Sequence, residues 1–285
     1  MVNSTLFLLL LIAHLLGDYY FQNQKLADKK ESSYPALILH SLIYTGAIAL
    51  AFGLVNAPWW VFVLASGMHW VIDSLKWSLR QTSLSKVWLF LVDQSLHLMV
   101  LIALVLVSPE ATLRPWLTTL ALPQAFWAWF ALILLILKPV NVSIDILFER
   151  FKSAAEEESR RQEQQSVPNL SAGKSVDTEN PVKDTQTRPE EAEGAGAWVG
   201  ALERLITVLF AAMGQFAAMG LLMAAKSMAR YDKITKGPAF AEYYLIGTLF
   251  SLFFAIAAYL VIFKLVAPVP VVVDPTPILL ITPTP

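Results

Sequence analysis

Seven ionisable residues sit inside, or at the end of, apolar stretches long enough to enter a bilayer. They are His14 and Asp18 in HLLGD, His40 in LHSLIYT, His69 and Asp73 in HWVID, and Asp93 and His97 in DQSLH. Every histidine of the chain is among them. Three of the four stretches set His and Asp at i and i+4, which on a helix puts both side chains on one face, about 6 Å apart along the axis. Neutral imidazole and carboxylate are ligands for first-row divalent metals, and two ligands one turn apart can share an ion. A charged side chain at the bilayer centre costs roughly 2.5–3.5 kcal/mol on insertion scales, so a group of them implies either a task or mutual partners.

The elements that must position these residues follow from hydropathy. The chain has 285 residues, 56% of them hydrophobic and 15% charged, with a mean hydropathy of +0.56. That is the profile of an all-α, polytopic membrane bundle. A net charge of −1 gives nucleic acid no footing. Cysteine is absent, so there is no disulfide framework and any metal must be held by nitrogen and oxygen. No phosphate-binding glycine loop, GxSxG elbow or HExxH is present, which argues against nucleotide-driven pumping. The N-terminal MVNST lacks a basic region, and the apolar run after it lacks a small-residue cleavage site, so it reads as a retained first span.

About seven transmembrane segments are expected: 4–21, 35–55, 58–76, 86–108, 123–148, a sixth from GAGAWVG to 225, and a seventh over 242–266. Lys138-Pro139 should kink the fifth, leaving its VNVSIDILFERF end along the interface. Residues 151–196 hold six Lys/Arg and ten Asp/Glu with few large apolar residues. Such a stretch reads as a disordered charged linker, where a protein partner could bind. The chain therefore divides into a membrane bundle (1–150) carrying the His/Asp cluster, the linker (151–196), a two-span unit (197–267) and a Pro-rich tail (268–285).

Lys25, Lys29, Lys30, Lys76, Arg80 and Lys86 fall in loops one and three, against only Arg114 in loops two and four. Loops one and three should then be cytoplasmic, in a multi-pass protein of the cytoplasmic (inner) membrane. Seven spans would place Lys226, Arg230, Lys233 and Lys236 outside. A re-entrant segment, or local pairing of those charges, would remove the conflict.

Successive spans alternate in direction, so all four His/Asp stretches fall toward one membrane side, and short loops keep their helices adjacent. Gln22, Tyr44 and Lys76 continue the stripes at helical spacing, and Gln94 adjoins Asp93. These are candidates to orient imidazole and carboxylate. A second polar group, Glu203, Arg204, Lys226, Arg230 and Glu242, reads first as snorkelling or interfacial ion pairing. Three uses of the cluster stay open. One is a divalent-metal site, for zinc or another first-row ion, that hydrolyses a membrane-proximal ester or phosphoester. The second is a proton or cation relay in a transporter, and the third is a polar network in a non-enzymatic scaffold.

HLLGDYYFQNQKLADKK, LILHSLIYT, HWVIDSLK and DQSLHL, with GAWVGALERL, GQFAAMGLLMAAKSMAR and EYYLIGTLFS, resemble the bacterial membrane family called domain of unknown function 3307. The likeness runs over about 4–110 and 194–255 and implies a polytopic architecture without an activity. The repeated HxxxD is also similar to predicted membrane-bound metal-dependent hydrolases. That likeness implies His14, Asp18, His40, His69, Asp73, Asp93 and His97 as ligands; with no Cys or Glu at these positions, it leaves the metal open.

Overall fold

The computed structural model describes residues 3–166, apart from 81, 83, 110 and 121, and residues 195–267. Helix α1 (Ser4–Leu15) starts at Asn3, whose Oδ1 accepts from the Leu6 amide at 3.1 Å. Every residue from Leu6 to Leu15 is buried. A helix apolar on all sides belongs inside a bundle, and α1 is its central strut. Its last turn widens into a π-helical turn over Leu16–Tyr20, where the Phe21 amide donates to the Leu16 carbonyl at 2.7 Å. Such turns insert a residue and re-aim side chains, frequently at functional positions. Here the re-aimed residue is Asp18. The chain then bends by 90° into a short helix α2 (Gln24–Lys30), capped by Asn23 Oδ1 on the Leu26 amide at 2.8 Å.

Helix α3 (Tyr34–Leu54) carries Pro35 in its first turn, where a missing N–H costs nothing. Helices α4 (Trp59–Leu79) and α5 (Lys86–Val107) follow. α4 packs between α3 and α5, and α1 packs against α3 and α5. Away from the ionisable ends, β1 (Val55–Asn56) and β2 (Thr112–Leu113) pair antiparallel, Val55 opposite Leu113. This two-residue ladder ties the exits of α3 and α5 together.

After α6 (Pro115–Thr118), helix α7 (Gln124–Leu147) packs along α1. It continues through Pro139. Proline removes a donor from the helical ladder, and this turn is bonded from outside. The Leu134 carbonyl accepts from the Tyr20 hydroxyl at 2.8 Å, and the Ile136 and Leu137 carbonyls accept from Arg204.

The described part of the charged stretch is helical. Residues 151–166, expected as linker, belong to helix α8 (Glu149–Ser166), which packs on α12 (Pro238–Leu260). Glu158 Oε2 accepts from the Phe240 amide at 3.1 Å, and Gln162 donates to the Lys236 carbonyl at 2.8 Å. A carboxylate over the open amides of a helix N-terminus is the physical reason a polar helix docks there. The rest of the expected linker, 167–194, and the tail, 268–285, lie outside the described residues.

The sixth expected span is two helices, α9 (Ala195–Ala212) and α10 (Phe216–Ala229), parted at Gly214 with φ 69°. Glycine suits that left-handed turn because it has no Cβ. Glu203 and Lys226, at nearly equal distances from the turn, form an ion pair, so the two helices run antiparallel as a hairpin. A 14-residue helix rises only about 21 Å, short of the ~30 Å hydrocarbon core. The short α11 (Tyr231–Lys236) leads into α12, which packs against α7, α8 and α9 and ends in a π-helical turn over Val261–Val266.

Among the described residues four helices are long and apolar enough to cross a membrane: Tyr34–Leu54, Lys86–Val107, Gln124–Leu147 and Pro238–Val266. The count reaches five if the bent pair Ser4–Tyr20 and Gln24–Lys30 is one span, against the seven expected. α4 has the length, 21 residues, but is not among them. The outward faces are apolar: Leu50 and Leu106 are each 64% exposed and Phe253 69%, a surface that suits lipid better than water.

Candidate metal centre

α1 with its π-turn, α3, α4 and α5 bring all seven ionisable residues to one buried place. At its centre four donor atoms face each other. Asp18 Oδ1 lies 3.1 Å from His40 Nε2 and 3.5 Å from His69 Nε2. Asp73 Oδ2 lies 3.3 and 3.6 Å from the same two nitrogens. The nitrogens themselves are 3.3 Å apart. Four ligands at ~2.05 Å from a tetrahedral ion stand about 3.35 Å from one another. The five distances scatter about that value, the spacing of neighbouring ligands on a divalent ion, and His40, His69 and Asp73 form one of the groups here that could hold a metal.

The other three residues flank this core. Asp18 turns its second oxygen, Oδ2, toward His14 Nε2 at 3.8 Å, and Asp73 Oδ1 faces His97 Nε2 at 3.9 Å. His97 Nδ1 donates to the Asp93 main-chain oxygen at 2.9 Å. The Asp93 carboxylate is held in turn by Lys76 Nζ at 2.8 Å and by Gln94 Nε2 at 3.0 Å, while Gln94 Oε1 accepts from the Tyr19 hydroxyl at 2.8 Å. Tyr44 stacks flat on His69, with ring centroids 3.4 Å apart and planes within 1°. Gln22 donates to the main-chain oxygen of Asp18. Gln22, Tyr44, Lys76 and Gln94 thus touch the group they were expected to orient.

Sequence reasoning did not assign three contributors. Gly17 lets α3 approach: a Cβ there would lie 2.7 Å from Tyr44 Cδ2 and 3.2 Å from Tyr44 Cα. The signal was the glycine inside HLLGD. Lys30 Nζ, carried in by α2, stands 3.1 Å from His40 Nε2 and 3.9 Å from Asp73 Oδ2. Nothing in QNQKLADKK announces the 90° bend that brings it there. Lys138 donates to the main-chain oxygen of Tyr19. A cleft of about 320 Å³ leads from Asp18 and Asp93 past Gln22, Lys30, Lys76 and Lys138, giving the cluster an opening on the loop-one side.

The second polar group does not form one site. Arg204, 2% exposed, donates to the Ile136 and Leu137 carbonyls, to Asn141 Oδ1 at 2.8 Å and to Ser251 Oγ at 3.3 Å. It is a structural clamp between α7, α9 and α12. Lys226 pairs with Glu203 rather than with Glu242 across the loop. Lys226 and Arg230 border a separate surface cleft with Glu203.

Fold and cluster together define an all-helical protein with membrane-length helices around a buried His/Asp group that could hold a metal ion. Residues 6–122 match the model of the family described as protein of unknown function (DUF3307). The matched stretch encloses all seven cluster residues and stops before α7. No curated protein and no solved structure matches the chain, so the likeness to metal-dependent hydrolases rests on the HxxxD pattern alone.

Proposed function

We propose that this is an integral protein of the cytoplasmic membrane that binds a divalent first-row metal, zinc foremost, through Asp18, His40, His69 and Asp73. In this reading the ion activates water for hydrolysis of a membrane-proximal ester or phosphoester. The observation that carries it is the set of donor distances, 3.1–3.6 Å, close to the spacing of neighbouring ligands on such an ion. Such an ion lowers the pKa of a bound water and polarises the oxygen it meets. The cleft beside Asp18 supplies access for a head group or soluble substrate.

In the same proposal loops one and three face the cytoplasm. The hairpin of α9 and α10 supports this, because a segment that enters and leaves on one side puts Lys226, Arg230, Lys233 and Lys236 on that face too. The gathering of the seven residues in one buried place favours a site over a relay across the bilayer.

A second reading has its own observation. Lys30 Nζ, 3.1 Å from His40 Nε2, could itself be the cation of a purely structural network. Elemental analysis of the purified protein separates the two. The metal reading expects stoichiometric zinc in the wild type and in Lys30→Met, lost from His40→Ala/His69→Ala. A wild type as metal-free as that double variant overturns it.

A further inference from the structure

We propose that the cluster holds a second divalent cation, so that Asp18 and Asp73 bridge two ions. This inference rests on the one-ion reading above and concerns donors which that reading leaves unused. Each of the two carboxylates faces His40 and His69 with one oxygen and turns the other away from them. Asp18 Oδ2 then stands 3.8 Å from His14 Nε2, and Asp73 Oδ1 stands 3.9 Å from His97 Nε2. The His14 and His97 rings lie with centroids 5.3 Å apart.

The tautomer of His97 carries the argument. Its Nδ1 is 2.9 Å from the main-chain oxygen of Asp93, which can only accept, so Nδ1 bears the hydrogen. Nε2 is buried and without a hydrogen-bond partner. What faces it is the Asp73 Oδ1 carboxylate oxygen at 3.9 Å, beyond hydrogen-bond reach. Buried polar atoms of this kind are seldom left unpaired. A cation between them would pair both. A histidine that donates Nδ1–H to a backbone carbonyl and offers Nε2 inward has the arrangement metal-ligating histidines use.

The separations of 3.8 and 3.9 Å lie between the ~3.4 Å of tetrahedral neighbours and the ~4.2 Å of ligands on opposite sides of an ion. Asp18 Oδ2, His14 Nε2, Asp73 Oδ1 and His97 Nε2 would be the second set of donors. Asp93 positions His97 and stays with Lys76. Ions so bridged clamp the attacking and leaving oxygens of a phosphoryl displacement, which ranks a phosphoester above a carboxyl ester among the substrates proposed above.

The test loads the full-length, detergent-purified protein with Mn²⁺, removes excess metal, and reads Mn per chain together with the electron paramagnetic resonance spectrum. Two Mn per chain with an exchange-coupled spectrum are expected for the wild type, falling to one uncoupled Mn in His14→Ala/His97→Ala. A wild type with one uncoupled Mn, lost only from His40→Ala/His69→Ala, overturns the second ion and leaves the one-ion reading standing. No Mn in the wild type removes both. Should the His14→Ala/His97→Ala variant fail to fold, the wild-type spectrum decides by itself whether the ions are coupled.

Discussion

Gly17→Ala is the substitution with which the close approach of α1 and α3 can be tested. The added Cβ would meet Tyr44 Cδ2 at 2.7 Å and Tyr44 Cα at 3.2 Å. An ordinary carbon contact is about 3.5 Å, so the ring must retreat by roughly 0.8 Å. The contact with Cα cannot be relieved by a rotamer change, so α3 itself has to shift. Overpacking of this kind costs about 1–3 kcal/mol. Tyr44 is stacked on His69 at 3.4 Å, so its displacement is passed to a nitrogen that must hold its place to within about 0.2 Å for a metal. Loss of such a supporting contact lowers metal affinity about 10–100-fold. Thermal unfolding with and without zinc, alongside a zinc titration, reads both effects. In a Tyr44→Ala background most of the clash is gone, and the cost of Gly17→Ala should fall to less than half. Unchanged melting and unchanged zinc affinity in Gly17→Ala would refute the reasoning, and equal costs in both backgrounds would refute the part assigned to Tyr44.

Further expectations concern the cluster's supports and the rest of the fold. Lys76→Met leaves the Asp93 carboxylate, 4% exposed, with Gln94 but without its cation. Because the Lys76 side chain is 27% exposed, the loss should be about 1–3 kcal/mol, below that of a fully buried pair, and visible as a lower melting temperature. Arg204→Met strands two buried carbonyls and Asn141, each worth about 1–3 kcal/mol. The yield of monodisperse protein on size exclusion should collapse, Arg204→Lys should not restore it because an ammonium cannot reproduce the planar fork, and metal per folded chain should stay at the wild-type value. Glu158→Ala removes the carboxylate over the Phe240 amide. It should cost about 0.5–2 kcal/mol, seen as faster hydrogen exchange at the start of α12 and unchanged metal content.

What was legible in the sequence was what periodicity and polarity express locally. The i, i+4 pairing of His and Asp in three segments, with alternation of span direction, was enough to foresee that His14, Asp18, His40, His69, Asp73, Asp93 and His97 converge. Gln22, Tyr44, Lys76 and Gln94 fell into place by the same stripe logic. The failures share a cause, which is that hydropathy averages over a window and cannot see a single backbone event. Gly214 divides one apolar run into a hairpin, so length alone made it a span. The π-turn at Leu16–Tyr20 and the bend after it turn a polar loop into a helix that delivers Lys30 to His40. Residues 151–166 have no apolar face of the usual kind, yet they order because their carboxylates and amides find the open end of α12, a partner some eighty residues away. Helix α7 runs on through Pro139, and Tyr20 and Arg204, far from it in sequence, bond the neighbouring Leu134, Ile136 and Leu137 carbonyls.

These long-range supports also explain why the centre can be built at all. Three carboxylates and four imidazoles gathered in an apolar bundle would push the helices apart unless something fixed each of them. α1, buried on every side, cannot rotate to carry Asp18 elsewhere, and the β1–β2 ladder fixes the opposite ends of α3 and α5. The bundle is therefore set by groups far from the cluster, and the donor atoms are held against each other at distances a cation can relieve. Metal binding should then stabilise the fold as well as fill the site. At a free zinc concentration 100 times the dissociation constant the gain is about 2.7 kcal/mol. The wild type should melt higher with zinc than after chelation, while His40→Ala/His69→Ala should melt at one temperature in both. If chelation leaves a zinc-loaded wild type's melting temperature unmoved, the donors do not share an ion with the folded state, and the network centred on Lys30 is the better account of the cluster.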